Sequence, residues 1–180
     1  MRTVDKTIAI NRRKFLGGSA GAAILAGIAG EIDGSRALAA TLKTVNTPAA
    51  AATLVRMARD IYPHDRVPTA YYETAIATID GALGADPASR SLLPNGVAAL
   101  DAAATVRFGA AYAAVPQEAD RVALLRTIEA TPFFQKVRGG LVTALYNQPE
   151  IWTLLGYEGS SAEHGGYLHR GFDDIDWLPA

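Results

Sequence analysis

The sequence predicts an all-α protein, a small bundle-like domain of five to six helices with a long irregular C-terminal tail. Three observations carry that expectation. Apolar residues recur at spacings of three and four over most of residues 47–155, and no alternating strand run of useful length interrupts them. Thr-Pro pairs at 47–48 and 131–132 have the form of an N-cap followed by proline at the first helical position. From Gly156 the periodicity stops and glycine and aromatic residues take over.

Thr47-Pro48 opens a first helix with Leu54, Met57, Ala58 and Ile61 on one face, and Pro63 stops it. "PHDRVP" (63–68) reads as a loop. A second helix starts near Thr69 and turns Tyr72, Ala75, Ile76, Ile79 and Leu83 inward. "GADPASRSLLPNG" (84–96) reads as a loop. The third helix carries Val97, Leu100, Ala104, Phe108, Ala111 and Val115 as one stripe. Pro116 opens a fourth with Val122, Leu125 and Ile128 inward. Thr131-Pro132 starts the fifth, striped by Phe134, Val137, Leu141 and Leu145. Gly139-Gly140 in its middle should cost roughly 1 kcal/mol per glycine, which close packing against a neighbour or a local hinge would explain. A short helix, Pro149 to Leu155, completes the set.

The 180 residues suffice for one domain of ordinary size, and 49% hydrophobic against 19% charged residues supports a core. With no cysteine, a thiolate zinc site, a thiol nucleophile, an iron–sulfur cluster and a c-type haem attachment are excluded.

The first forty residues read as a separate object. Arg12, Arg13 and Lys14 precede "FLGGSAGAAILAGIAG" (15–30), sixteen residues without a charge. As a helix that run would span roughly 24 Å, short of a bilayer core of about 30 Å. A short, Gly- and Ala-rich run after a basic cluster favours the apolar region of an export signal over a spanning helix. "ALAA" (37–40) supplies an A-x-A cleavage pattern at Ala37 and Ala39, with the cut expected near Ala39. "NRRKFL" (11–16) resembles a twin-arginine translocation signal through Arg12, Arg13, Phe15 and Leu16; Gly17 departs from the lysine often found next. The competing reading is a surface arginine pair ahead of a buried helix. The expected organisation is thus a signal peptide (1–39), a helical domain (40–156) and an aromatic tail (157–180). Loss of residues 1–39 removes six of 17 basic and three of 18 acidic residues, leaving about −4, which disfavours nucleic acid or an anionic membrane as a partner of the mature domain.

Candidate chemistry is sparse. "GGSAG" lacks dinucleotide-loop spacing and has no strand before it, and no G-x-S-x-G elbow occurs. His64-Asp65 could form an acid–base pair or brace a turn, and His164 and His169, near Glu163, Asp173, Asp174 and Asp176, could hold a metal or belong to a solvated tail. Tyr157, Tyr167, Phe172 and Trp177 have no helical face to bury them, so they either fold back on the domain or fill pockets on a partner.

The chain resembles the gluconate 2-dehydrogenase subunit 3 family. The resemblance rests on "ARDIYPHDRVP" (58–68), on "FFQKVRGGLVTALYNQPEIWTLLGYEG" (133–159) and on "YLHRGFDDIDW" (167–177). It implies a non-catalytic small subunit that brings the export signal to a periplasmic flavoprotein dehydrogenase and stabilises it. It implies a glucose–methanol–choline-type large subunit that binds FAD and oxidises a sugar, polyol or sugar acid, often with a cytochrome c subunit. No cofactor is expected in this chain itself. Passage through the twin-arginine translocase implies a periplasmic location, at the inner membrane or free of it. Trp152, Tyr157, Tyr167, His169, Phe172 and Trp177 are the expected partner contacts. The alternative is a stand-alone exported metalloprotein or enzyme using His64 or His164/His169.

Overall fold

The computed structural model describes residues 34–168, and all regular structure among them is helical. After a helical segment over 34–41 come α1 (Pro48–Ile61), α2 (Thr69–Ala85), α3 (Leu92–Phe108), a 3-10 turn (Tyr112–Ala114), α4 (Glu118–Thr127), α5 (Pro132–Tyr146), α6 (Pro149–Leu155) and a second 3-10 turn (Ser161–His164). The all-α expectation holds.

α1 is the central element. It packs against α2, α3, α4, α5 and the first 3-10 turn, so one face does not suffice to describe its burial. Ala51, Leu54, Met57 and Ala58 are wholly enclosed, and burial of Leu54 and Met57 contributes about 1.5–3 kcal/mol each. The start signal works as the sequence implies: Thr47 Oγ1 accepts from the Ala50 N–H at 3.3 Å, and Pro48 occupies a position that needs no donor. Thr131 repeats this at α5, accepting from the Phe134 N–H at 3.3 Å. The expected inward residues of α2 and α5 are all buried.

Three expectations need correction. The loop before α3 is shorter than 84–96: α2 runs through Ala85, and α3 begins at Leu92 with Pro94 in its first turn, where a missing N–H costs nothing. The stripe from Val97 to Val115 does not lie on one helix. α3 ends at Phe108, because Gly109 takes φ 73° and its N–H bonds to the Thr105 carbonyl. Val115 is still buried, carried inward by the 3-10 turn, whereas Ala111 is exposed. On α4 the inward face is rotated. Arg121, Leu124 and Leu125 are buried, while Val122 and Ile128 are only half-buried.

The rotation has a cause. Arg121 reaches Asp60 at the end of α1 through Nε at 2.7 Å and a terminal nitrogen at 2.8 Å. It also donates to the Val115 and Pro116 carbonyls, and Tyr112 Oη donates to Asp60 at 2.6 Å. Asp101 supports the same corner, accepting from Thr53 Oγ1 at 2.9 Å and from the Tyr112 N–H at 3.0 Å. Every buried side-chain polar atom among the described residues has a partner, as low-dielectric packing requires.

Burial raises the Tyr112 hydroxyl pKa, with the Asp60 hydrogen bond adding to it; burial also raises Tyr72 and Tyr146. A raised folded-state value means the unfolded chain loses these protons first. Their contribution is complete below the unfolded tyrosine value of about 10 and declines as the pH rises above it. Thermal melts between about pH 8 and 11 should show falling stability at the alkaline end, and Tyr112→Phe should flatten that fall.

The two mid-helix glycines of α5 separate. A Cβ on Gly140 would lie 2.8 Å from Ile79 of α2, whereas one on Gly139 meets nothing within 4 Å. Close packing, not a hinge, explains Gly140. Gly139→Ala should stabilise by about 0.5–1 kcal/mol in urea titrations. Gly140→Ala should fail to stabilise, because Ile79 must yield.

Candidate partner-contact surface

The last helix places the first of the aromatic candidates. Pro149 starts α6, and Gly156 ends it at φ 76°, with the Tyr157 N–H bonding to the Trp152 carbonyl at 2.8 Å. This reversal sets Tyr157 edge-on against Trp152, ring centroids 5.5 Å apart. Trp152 Nε1 donates to the Tyr146 carbonyl at 2.6 Å, so the indole is anchored to the end of α5 and half-buried. Of the pair, Trp152 is the fixed body and Tyr157, 52% exposed, is the part offered to solvent.

Beyond Tyr157 the chain makes one 3-10 turn and reverses at Gly165 and Gly166, both at positive φ. Tyr167 is 68% and Leu168 76% exposed. Of the two readings open for the tail aromatics, the described ones do not fold back into the core. Sequence reasoning missed Leu155 and Leu168, which add exposed apolar surface beside the aromatics; their adjacency to Gly156 and Tyr167 was the available signal. His169, Phe172 and Trp177 lie outside the described residues, as do Arg12, Arg13, Phe15 and Leu16. Ala37 is exposed and Ala39 buried, both within the helical segment over 34–41.

His64 belongs to a different corner. Its Nε2 and Tyr146 Oη share a hydrogen bond of 2.6 Å, and Tyr62 packs edge-on against Tyr146. Tyr72 Oη donates to the Tyr62 carbonyl at 2.5 Å, under the Arg59 guanidinium. Asp65 is exposed. The histidine's partner is therefore a tyrosine across the bundle, an arrangement that ties the 63–68 loop to α5. Among the described residues, no three His, Asp or Glu side chains are grouped to hold a metal ion, and no helix is long and apolar enough to cross a membrane.

The described residues thus form a helical domain with a tyrosine-braced corner, and Leu155, Tyr157, Tyr167 and Leu168 stand exposed after it. Residues 48–159 match the family model of gluconate 2-dehydrogenase subunit 3, and the chain belongs to that family. Membership implies association with other subunits of a dehydrogenase complex. No curated protein and no solved structure matches the chain. The match begins at the first residue of α1 and ends three residues beyond Gly156, so it includes Trp152 and Tyr157.

Proposed function

We propose that the chain is the non-catalytic small subunit of a periplasmic FAD-dependent dehydrogenase acting on a sugar, polyol or sugar acid. In this reading it supplies the twin-arginine export signal and stabilises a glucose–methanol–choline-type large subunit, from which a cytochrome c subunit takes electrons. The observation that carries the reading is the family match over residues 48–159.

The physical logic is consistent with it. FAD is available where the large subunit folds, so the holoenzyme must cross the membrane folded, and a signal on a bound subunit serves if the complex survives transit. Slow dissociation needs an extensive interface, on the order of 2,000 Å². The exposed Leu155, Tyr157, Tyr167 and Leu168 supply aromatic and aliphatic anchors of the kind that dominate such interfaces.

The test is co-expression of the tagged chain with a neighbouring flavoprotein gene. The expected result is a yellow complex in the periplasmic fraction, oxidising a sugar-derived alcohol. Deleting residues 160–180 should weaken capture of the flavoprotein while moving the domain's melting temperature little, because Tyr167 and Leu168 are mostly exposed and outside the buried core. A chain that captures no flavoprotein sinks the reading; a deletion that strongly lowers the melting temperature and leaves capture intact contradicts the role given to the tail.

A further inference from the structure

The segment carrying the A-x-A pattern is built into the domain. Residues 34–41 are helical, and Leu38, Ala39, Leu42 and Val45 belong to the same buried cluster as α1 and α2. Ala39 is 6% exposed. The Leu42 N–H bonds to the Leu38 carbonyl at 3.2 Å, and Thr41 Oγ1 donates to that carbonyl at 2.8 Å, so both hydrogen bonds span the Ala39–Ala40 bond.

Immediately after the helical segment the chain is clamped. Asp80 of α2 is 1% exposed, and its carboxylate accepts from the Lys43 N–H, from Thr44 Oγ1 and from the Thr44 N–H at 3.1 Å. Gly84, one turn further along α2, lets the segment lie close: a Cβ there would stand 3.0 Å from Lys43 Cβ and 3.3 Å from a Thr44 methyl. A buried carboxylate whose hydrogen bonds go to this segment is costly to leave without them.

We propose that residues 34–46 form a strap of the folded domain that withholds the Ala39–Ala40 bond from leader peptidase, so that the N-terminal segment stays on the subunit after export. The inference rests on the export reading above. A protease binds its substrate extended, with backbone hydrogen bonds of the β type and the side chains flanking the bond seated in its pockets. Here that geometry requires unwinding the 34–41 helix and withdrawing Leu38 and Ala39 from the core. A chain exported unfolded would present the site before the strap forms. A chain exported folded presents it already closed. The retained apolar run at 15–30 then stays available to hold the complex at a membrane surface.

The experiment has two arms. In cells with a twin-arginine translocase, the N-terminus of the exported chain is read by intact mass. A periplasmic-side chain still carrying residues 1–39 supports the inference. One beginning at Ala40 overturns it and leaves the export reading standing. If the chain stays in the cytoplasm, the export reading fails, and the strap is decided by the second arm. There, purified leader peptidase in detergent is given the folded full chain and a synthetic peptide of residues 30–46. The peptide should be cut after Ala39, and the folded chain at least about a hundredfold more slowly, because cleavage waits on local opening. Equal rates overturn the inference, and so does an uncut peptide, since there is then no bond to withhold. Asp80→Ala should bring the folded chain's rate toward that of the peptide. If that variant does not fold, Leu42→Ser with Val45→Ser loosens the strap from its own side and should do the same. Rates unchanged in a folded loosened variant also overturn it.

Discussion

Replacing Asp60 by alanine should cost about 3–5 kcal/mol of stability, the range for breaking a buried ion pair from one side. The carboxylate receives three hydrogen bonds, two from Arg121 and one from Tyr112, and both charged side chains are almost fully enclosed, 8% and 4% exposed. Among the described residues, its removal leaves the buried guanidinium hydrogen-bonded to the Val115 and Pro116 carbonyls alone and takes away the acceptor of the Tyr112 hydroxyl. Against a typical total of 5–15 kcal/mol, a loss of that size leaves the domain marginal. Urea titration measures it. The informative control is Asp60→Leu with Arg121→Met, which removes both charges and keeps apolar volume. It should recover most of the loss, because the penalty lies in the stranded charge rather than in the missing attraction. A single Asp60→Ala variant within about 1 kcal/mol of the parent would mean that α1 and α4 are held by packing alone.

The second large effect concerns export. Arg12→Lys with Arg13→Lys keeps the positive charge of the segment and changes only its hydrogen-bonding geometry, from planar forks to point charges. If the pair is read as a twin-arginine signal, periplasmic delivery of this chain should fall by about tenfold or more, the loss expected from one forked, charge-assisted contact. The flavoprotein should then stay in the cytoplasm as well, holding its flavin. Delivery of both at the parent level would refute the export part of the proposed function, and it would leave family membership untouched.

The sequence conveyed the helices where local chemistry sets them. Thr47-Pro48, Thr131-Pro132 and Pro149 start helices for reasons confined to three or four residues, and α1, α5 and α6 begin where those signals stand. The end of α3 was legible in principle. Gly109 was the stop, but the apolar spacing runs on to Val115 because a 3-10 turn returns that residue to the core. At the candidate surface, Trp152 and Tyr157 stood out as aromatics in and just beyond a short helix. That the first is anchored and the second offered depends on the Tyr146 carbonyl, which no spacing rule contains.

Composition, helix-start signals and motif order therefore determined the all-α class and the family, since each depends on residues close in the chain. The burial of Arg121 and the reach of Asp80 to the strap were decided only by the tertiary structure. Their partners stand 61 and 36–37 residues away. A charged residue in a sequence gives no sign that such a partner will meet it; by default it reads as solvated. Only packing that removes water from both sides makes it a structural tie. The same holds for Ala39, a small residue in a locally readable pattern, yet buried in the core by a segment whose Lys43 and Thr44 are held by a carboxylate on another helix.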